Sequence, residues 1–119
     1  MSDLIERYLA CWNETDEDAR RRLVEDTWTP DAEYVDPLSE AHGHDAINDT
    51  IGAVQAQFPG LVMRRTSPID GHRDLVRFTW ALGAPGEAPV FAGLDVAKTD
   101  DDGKLHRIIG FAGETVPAA

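Results

Sequence analysis

The chain has 119 residues, 42% of them apolar, with 22 acidic side chains against 11 basic ones and a formal charge of -11 at neutral pH. That length carries one hydrophobic core and excludes two ordinary domains, so a single domain over residues 1–119 is expected. The charge argues against nucleic acid and anionic membranes as partners, because both call for basic neutralisation, and the one basic run, Arg20 to Arg22, sits among Asp16, Glu17, Asp18, Glu25 and Asp26 as a solvated helix face.

Leu4, Ile5, Tyr8, Leu9 and Trp12 form an apolar stripe at helical spacing behind a capping Ser2, which predicts a first helix over 3–13. Thr15 followed three residues later by Asp18 resembles a capping arrangement and opens a second helix over about 16–27, burying Ala19, Leu23, Val24 and Thr27 with its arginines toward water. Helical spacing stops at Pro30. Ala32, Tyr34 and Asp36 then alternate against Glu33 and Val35 until Pro37, which reads as a short edge strand followed by a loop from Leu38 to Gly43. Ile47, Ile51, Val54 and Phe58 predict a third helix over about 44–57, the longest and the main contributor to the core, stopped by Pro59 and Gly60.

Strand patterns fill the rest. Leu61, Met63 and Arg65 alternate, and residues 75–82 place Val76, Phe78, Trp80 and Leu82 on one face against Leu75, Arg77, Thr79 and Ala81, a central strand with apolar groups on both sides. Val90 to Thr99 and Leu105 to Phe111 are strands joined by the acidic turn Asp100 to Gly103. Residues 114–119 carry too little apolar weight for an element and are expected to be a flexible tail. The class is α+β, and one sheet bent around the third helix leaves a cone whose wide end is the place for a pocket.

This order, with the segments WTPDAEYVDP, GHDAINDTIGAVQAQFPG, VRFTWAL and DDDGKLHRIIGFAG, resembles the nuclear transport factor 2-like (NTF2-like) superfamily, and within it the SnoaL-like polyketide cyclase and ketosteroid isomerase-like branch, from Tyr8 to Phe111. The resemblance implies an NTF2-like cone: three N-terminal helices packed on a strongly curved antiparallel β-sheet with a mixed edge, holding a small hydrophobic molecule. It does not select a reaction, since such folds include isomerases, cyclases, hydrolases, dehydratases, carriers and proteins without catalysis.

By position in that cone, Asp95, Asp36, Tyr34, His44 and His42 are the candidates for catalysis, and Trp80, Arg77, Phe78, Phe91 and Met63 for lining a ligand. Asp95 lies in an apolar run, FAGLDVA, where a carboxyl is solvated, paired or kept protonated by burial; a protonated acid donates to an enolate, an ionised one takes a proton, and a salt bridge to Arg77 or Arg107 is the plainer alternative. Asp36 is either an acid/base group or the acceptor of an Asp-Pro turn. Tyr34 is a pocket donor or a core aromatic, and His42 and His44 are bases, helix caps or surface groups. Arg77 on a central strand needs a partner, an internal acid before an anionic ligand. Trp80, Phe78, Phe91 and Met63 serve a pocket wall or plain packing. A full isomerase set of tyrosine, base and protonated aspartate is not matched in the sequence.

No ligand spacing names a metal site and no glycine-rich loop follows a strand, so neither metal nor cofactor is expected. Cys11 alone forms no intrachain disulfide, and with no leader pattern and no long apolar run a cytoplasmic protein is expected. The leading function is cofactor-independent acid/base isomerisation or cyclisation of a small hydrophobic carbonyl compound. The alternatives are carriage of a small apolar ligand and a structural module that dimerises through the outer sheet face.

Overall fold

The structure, a computed structural model, describes residues 2–113; the expected tail over 114–119 lies outside the described residues. Helix α1 spans Ser2–Asn13, α2 Glu17–Thr27 and α3 Gly43–Gln57, each within two residues of the boundaries that the apolar periodicity predicts. The cap of α2 differs from the expected Thr15 arrangement. Asp16 is its N-cap and accepts from the Ala19 amide at 2.8 Å, because its short carboxylate reaches that orphan N–H directly.

Strands β1 Trp28–Val35, β2 Glu40–His42, β3 Val62–Arg65, β4 Asp70–His72, β5 Leu75–Gly83, β6 Phe91–Thr99 and β7 Leu105–Ala112 build one sheet in the order β2-β1-β7-β6-β5-β3, with β4 also on β5. β5 to β7 are antiparallel neighbours, as short connections require. β1 is not an edge strand. It runs parallel to β7 on one side and antiparallel to β2 on the other, so the expected loop at 38–43 contains a strand, and the parallel pair lies inside the sheet.

The expectation of a strongly curved, cone-shaped sheet does not hold. Among the described residues no ladder joins the two ends of the strand order, and they measure 35 × 35 × 24 Å, the proportions of a helical layer on an open mixed sheet. Bulky side chains line the space between the layers: Tyr8, Trp28 and Phe78 are essentially inaccessible. With aromatic volume holding the layers apart, the sheet need not curl to close the core.

The main contributor to that core is α1, not α3. Leu4, Ile5, Tyr8, Leu9, Cys11 and Trp12 are all buried, against Ile47 and Ile51 among the apolar residues of α3. The reason lies in α2, whose Arg20 turns inward instead of toward water and spends part of the α3 surface on polar contacts with Asn48 and Gln55. Among the described residues, no helix is long and apolar enough to cross a membrane.

Candidate functional site

Alternation along β6 turns Gly93, Asp95, Ala97 and Thr99 toward the helices, and all four are buried. Asp95 is only 1% exposed and makes no ion pair among the described residues. Neither expected rival serves as its partner: Arg77 pairs with Asp70 at 2.8 Å and Arg107 with Glu33 at 3.5 Å, both on solvent-exposed strand faces. Instead, the Tyr8 hydroxyl lies 2.6 Å from Asp95 Oδ2, and the Trp80 indole N–H donates to Oδ1 at 3.1 Å. Burial pushes the Asp95 carboxyl up to about 7; the hydrogen bonds from Tyr8 and Trp80 oppose the rise and the charge of Asp36 adds to it.

Tyr8 was legible only as core. Its ring does pack there, 5.8 Å from Trp28 and 5.9 Å from Phe78, while its hydroxyl reaches across to β6. Burial first, and then the neighbouring Asp95, hold the phenol well above its ordinary range, so it is a donor and not a phenolate. The available signal was a phenol inside an apolar helical stripe, since a buried tyrosine hydroxyl needs a partner.

A second acid stands close by. Asp36, half-buried just past β1, receives the Tyr34 hydroxyl on Oδ2 at 2.6 Å and the Leu38 and Ser39 amides on Oδ1 at 2.9 and 2.7 Å. One carboxyl oxygen therefore holds the turn after the strand and the other faces a buried phenol, itself pushed upward by burial and by Asp95. Gly110 of β7 joins the two acids: a Cβ there would lie 3.0 Å from Asp95 Oδ1 and 3.2 Å from Asp36 Cβ. Only a residue without a side chain admits both acids at this approach.

Aromatic rings enclose the constellation in a buried pocket. Trp12 lies 5.6 Å from Tyr34, and Trp28 lies 6.4 Å from the same ring. The indole N–H groups of Trp12 and Trp28 are buried with no hydrogen-bond partner among the described residues. Trp80 is half-buried and also faces outward, lining a surface groove of about 590 Å³ with Val90 and Phe91.

The remaining expected site residues go elsewhere. His42 is exposed, beside Glu40 at 3.3 Å and Glu33 at 3.7 Å. His44 Nε2 lies 2.9 Å from the Trp28 carbonyl and ties the start of α3 to β1. Phe78 and Met63 are buried packing, Phe91 rests edge-on against Phe58 at 5.0 Å, and Arg77 is exposed. Among the described residues, no three side chains of His, Cys, Asp or Glu come together as a metal site.

The family model of the SnoaL-like domain matches residues 5–108. A SnoaL-like family structure from Agrobacterium tumefaciens, provisionally assigned as an isomerase, is 35% identical, covers 94% of this chain and 96% of its own, and superposes with a TM-score of 0.89. A provisionally assigned polyketide cyclase from Sinorhizobium meliloti (21% identity, 91% and 93% coverage, TM-score 0.71) and an NTF2-like protein of unknown function from Exiguobacterium (21%, 94% and 99%, 0.72) share the fold. No curated protein matches.

Proposed function

The chain belongs to the SnoaL-like domain family of the NTF2-like superfamily, and from that premise we propose that it is a cofactor-independent acid/base isomerase or cyclase acting on a small hydrophobic carbonyl compound. The observation that carries this reading is Asp95, a carboxyl buried beside two hydrogen-bond donors with no ion pair among the described residues and pushed up by burial to about 7, where a large share of it is protonated. A neutral acid in an apolar site donates a hydrogen bond, which is what a developing enolate oxygen requires.

In this mechanism the substrate carbonyl oxygen accepts from Asp95 and Tyr8. Asp36 takes a proton from the carbon next to the carbonyl, and the C–H electron pair moves through the new C=C bond onto oxygen. Isomerisation ends when the Asp36 carboxylic acid returns that proton to another carbon of the conjugated system. Cyclisation ends when the enolate carbon attacks a second carbonyl carbon, its C=O π pair moves to that oxygen, and the alkoxide so formed takes the proton back from the Asp36 carboxylic acid. The unpartnered Trp12 and Trp28 indoles support a guest that carries oxygen, since buried donors without partners are uncommon. Access to Asp95 runs past Trp80, whose ring separates the acid from the Val90 and Phe91 groove, where the apolar body of the substrate rests first.

The test is enolisation of 2-tetralone in D2O, followed as deuterium uptake at the α carbons. Wild type exchanges faster than buffer, Asp36→Asn loses at least about 100-fold, and Asp95→Ala loses about 100- to 1,000-fold, the scale of one oxyanion donor. Asp95→Asn, still a donor, stays within about tenfold of wild type. Exchange at the buffer rate with saturable tetralone binding refutes catalysis on this probe and favours carriage.

The same reading includes a homodimer. Val35, Ile109 and Val96 lie side by side across three strands, with Leu94 opposite Phe111, on the face away from the helices. Phe111 is 56% exposed, and an apolar row of this kind suits a second copy of the chain. Light scattering on wild type and Phe111→Asp reads it, with a monomeric wild type refuting it. Buried Cys11, its thiol pushed up to about 11 by burial, asks for no oxidising compartment, and the reading places the protein in the cytoplasm.

A further inference from the structure

We propose that the groove between the α1–α2 turn and the C-terminal half of α3 binds a small aromatic monocarboxylate, with its anion on Arg20 and its ring against Trp12, Phe58 and Leu61. Arg20 is 5% exposed, yet it makes no ion pair among the described residues, whereas its neighbour Arg21 pairs with both Glu25 and Asp45. Its contacts are neutral: Nε donates to Asn48 Oδ1 at 2.7 Å, and Nη1 donates to Gln55 Oε1 at 2.7 Å and to the Glu14 carbonyl at 3.4 Å. A buried cation held only by neutral acceptors keeps much of its desolvation cost, and a carboxylate removes it.

The geometry leaves room for one. Nη2 has no hydrogen bond among the described residues, and the guanidinium lies flat on α3 because residue 52 is glycine; a Cβ there would stand 2.9 Å from Nη2. With Nε and Nη1 already engaged, the two N–H groups of Nη2 are the donors left for one carboxylate oxygen. The groove has about 560 Å³, and Trp12, Phe58, Pro59 and Leu61 supply an apolar wall of a size suited to one aromatic ring. Glu17 and Asp49, both exposed, also line it and repel a dianion more than a monoanion, which selects a carboxylate over a phosphate. This site is separate from Asp95, although Trp12 forms a wall of both the groove and the aromatic pocket.

The experiment titrates the whole protein with benzoate, benzamide and inorganic phosphate at constant ionic strength, read by amide and indole NMR shifts. Benzoate produces saturable shifts at the Trp12 indole, the Gln55 side-chain amide and the Gly60 and Leu61 amides. Benzamide and phosphate bind at least about tenfold more weakly, the step expected for losing one charge-assisted contact. Arg20→Gln abolishes the preference for benzoate over benzamide, and Asp49→Asn tightens benzoate several-fold by removing a like charge. Absent shifts, benzamide or phosphate equal to benzoate, or shifts centred on Gly110 and Trp80 overturn the proposal. Should Arg20→Gln fail to fold, an unchanged benzoate affinity in Asp49→Asn overturns it equally.

Discussion

Replacing Asp95 with asparagine should change how stability depends on pH more than it changes the structure. Asp95 accepts from the Trp80 indole through Oδ1 and from the Tyr8 hydroxyl through Oδ2; asparagine with its oxygen toward Trp80 keeps the first contact, and its amide turns to the Tyr8 oxygen, which then accepts in place of donating. In the wild type the folded carboxyl titrates near 7 against an ordinary 3.8. Because the folded value is raised, the folded state binds more protons between those limits. The stabilising effect of Asp95 is complete below about pH 3.8, is lost as pH rises toward 7, and stays lost above it. At about 1.36 kcal/mol per pH unit, the full difference is on the order of 4 kcal/mol. Urea unfolding of both proteins from pH 4 to 8 measures it, and subtracting the two curves cancels the titration of the many surface acids. The gap between wild type and Asp95→Asn should swing against wild type by several kcal/mol and flatten above the folded titration. A constant difference across that range would refute the account of Asp95 as a desolvated carboxyl.

Tyr8→Phe removes a hydrogen bond that holds the Asp95 titration down, so the midpoint of that pH dependence should move upward, with about 1–3 kcal/mol lost for the stranded partner; the same unfolding series reads both. Gly110→Ala pushes a methyl against Asp95 and Asp36 and should cost about 1–3 kcal/mol by overpacking, seen as a lower urea midpoint with unchanged slope. Trp28→Ala empties the centre of the aromatic cluster, and a loss of about 3–5 kcal/mol is expected in the same assay. Asp16→Ala uncaps α2 and should lower stability by about 1 kcal/mol without altering the pH dependence.

Much of this protein was legible in its sequence because the signals were local. The apolar stripes of α1 and α3 and the alternation of β5, β6 and β7 follow from periodicity, which needs no partner to be read. Asp95 stood out for a similar reason, as one acid in a run of small and apolar residues. β2 and β4 have three residues each, too few for a period to emerge, and they exist because β1 and β5 offer them a ladder. The interior place of β1 depends on a parallel pairing with a strand more than 70 residues later, which no neighbour in sequence announces.

The helices, the late strands and the acidic surface follow from residue order, because each depends on spacing and charge within a short window. Tertiary structure alone decided that Tyr8 meets Asp95 across 87 residues, that Gly110 lets Asp36 approach, and that Arg20 turns inward while Arg77 stays outside. Hydrogen bonds and burial act through space, and a side chain's chemistry is set by the groups the fold places within a few ångströms of it.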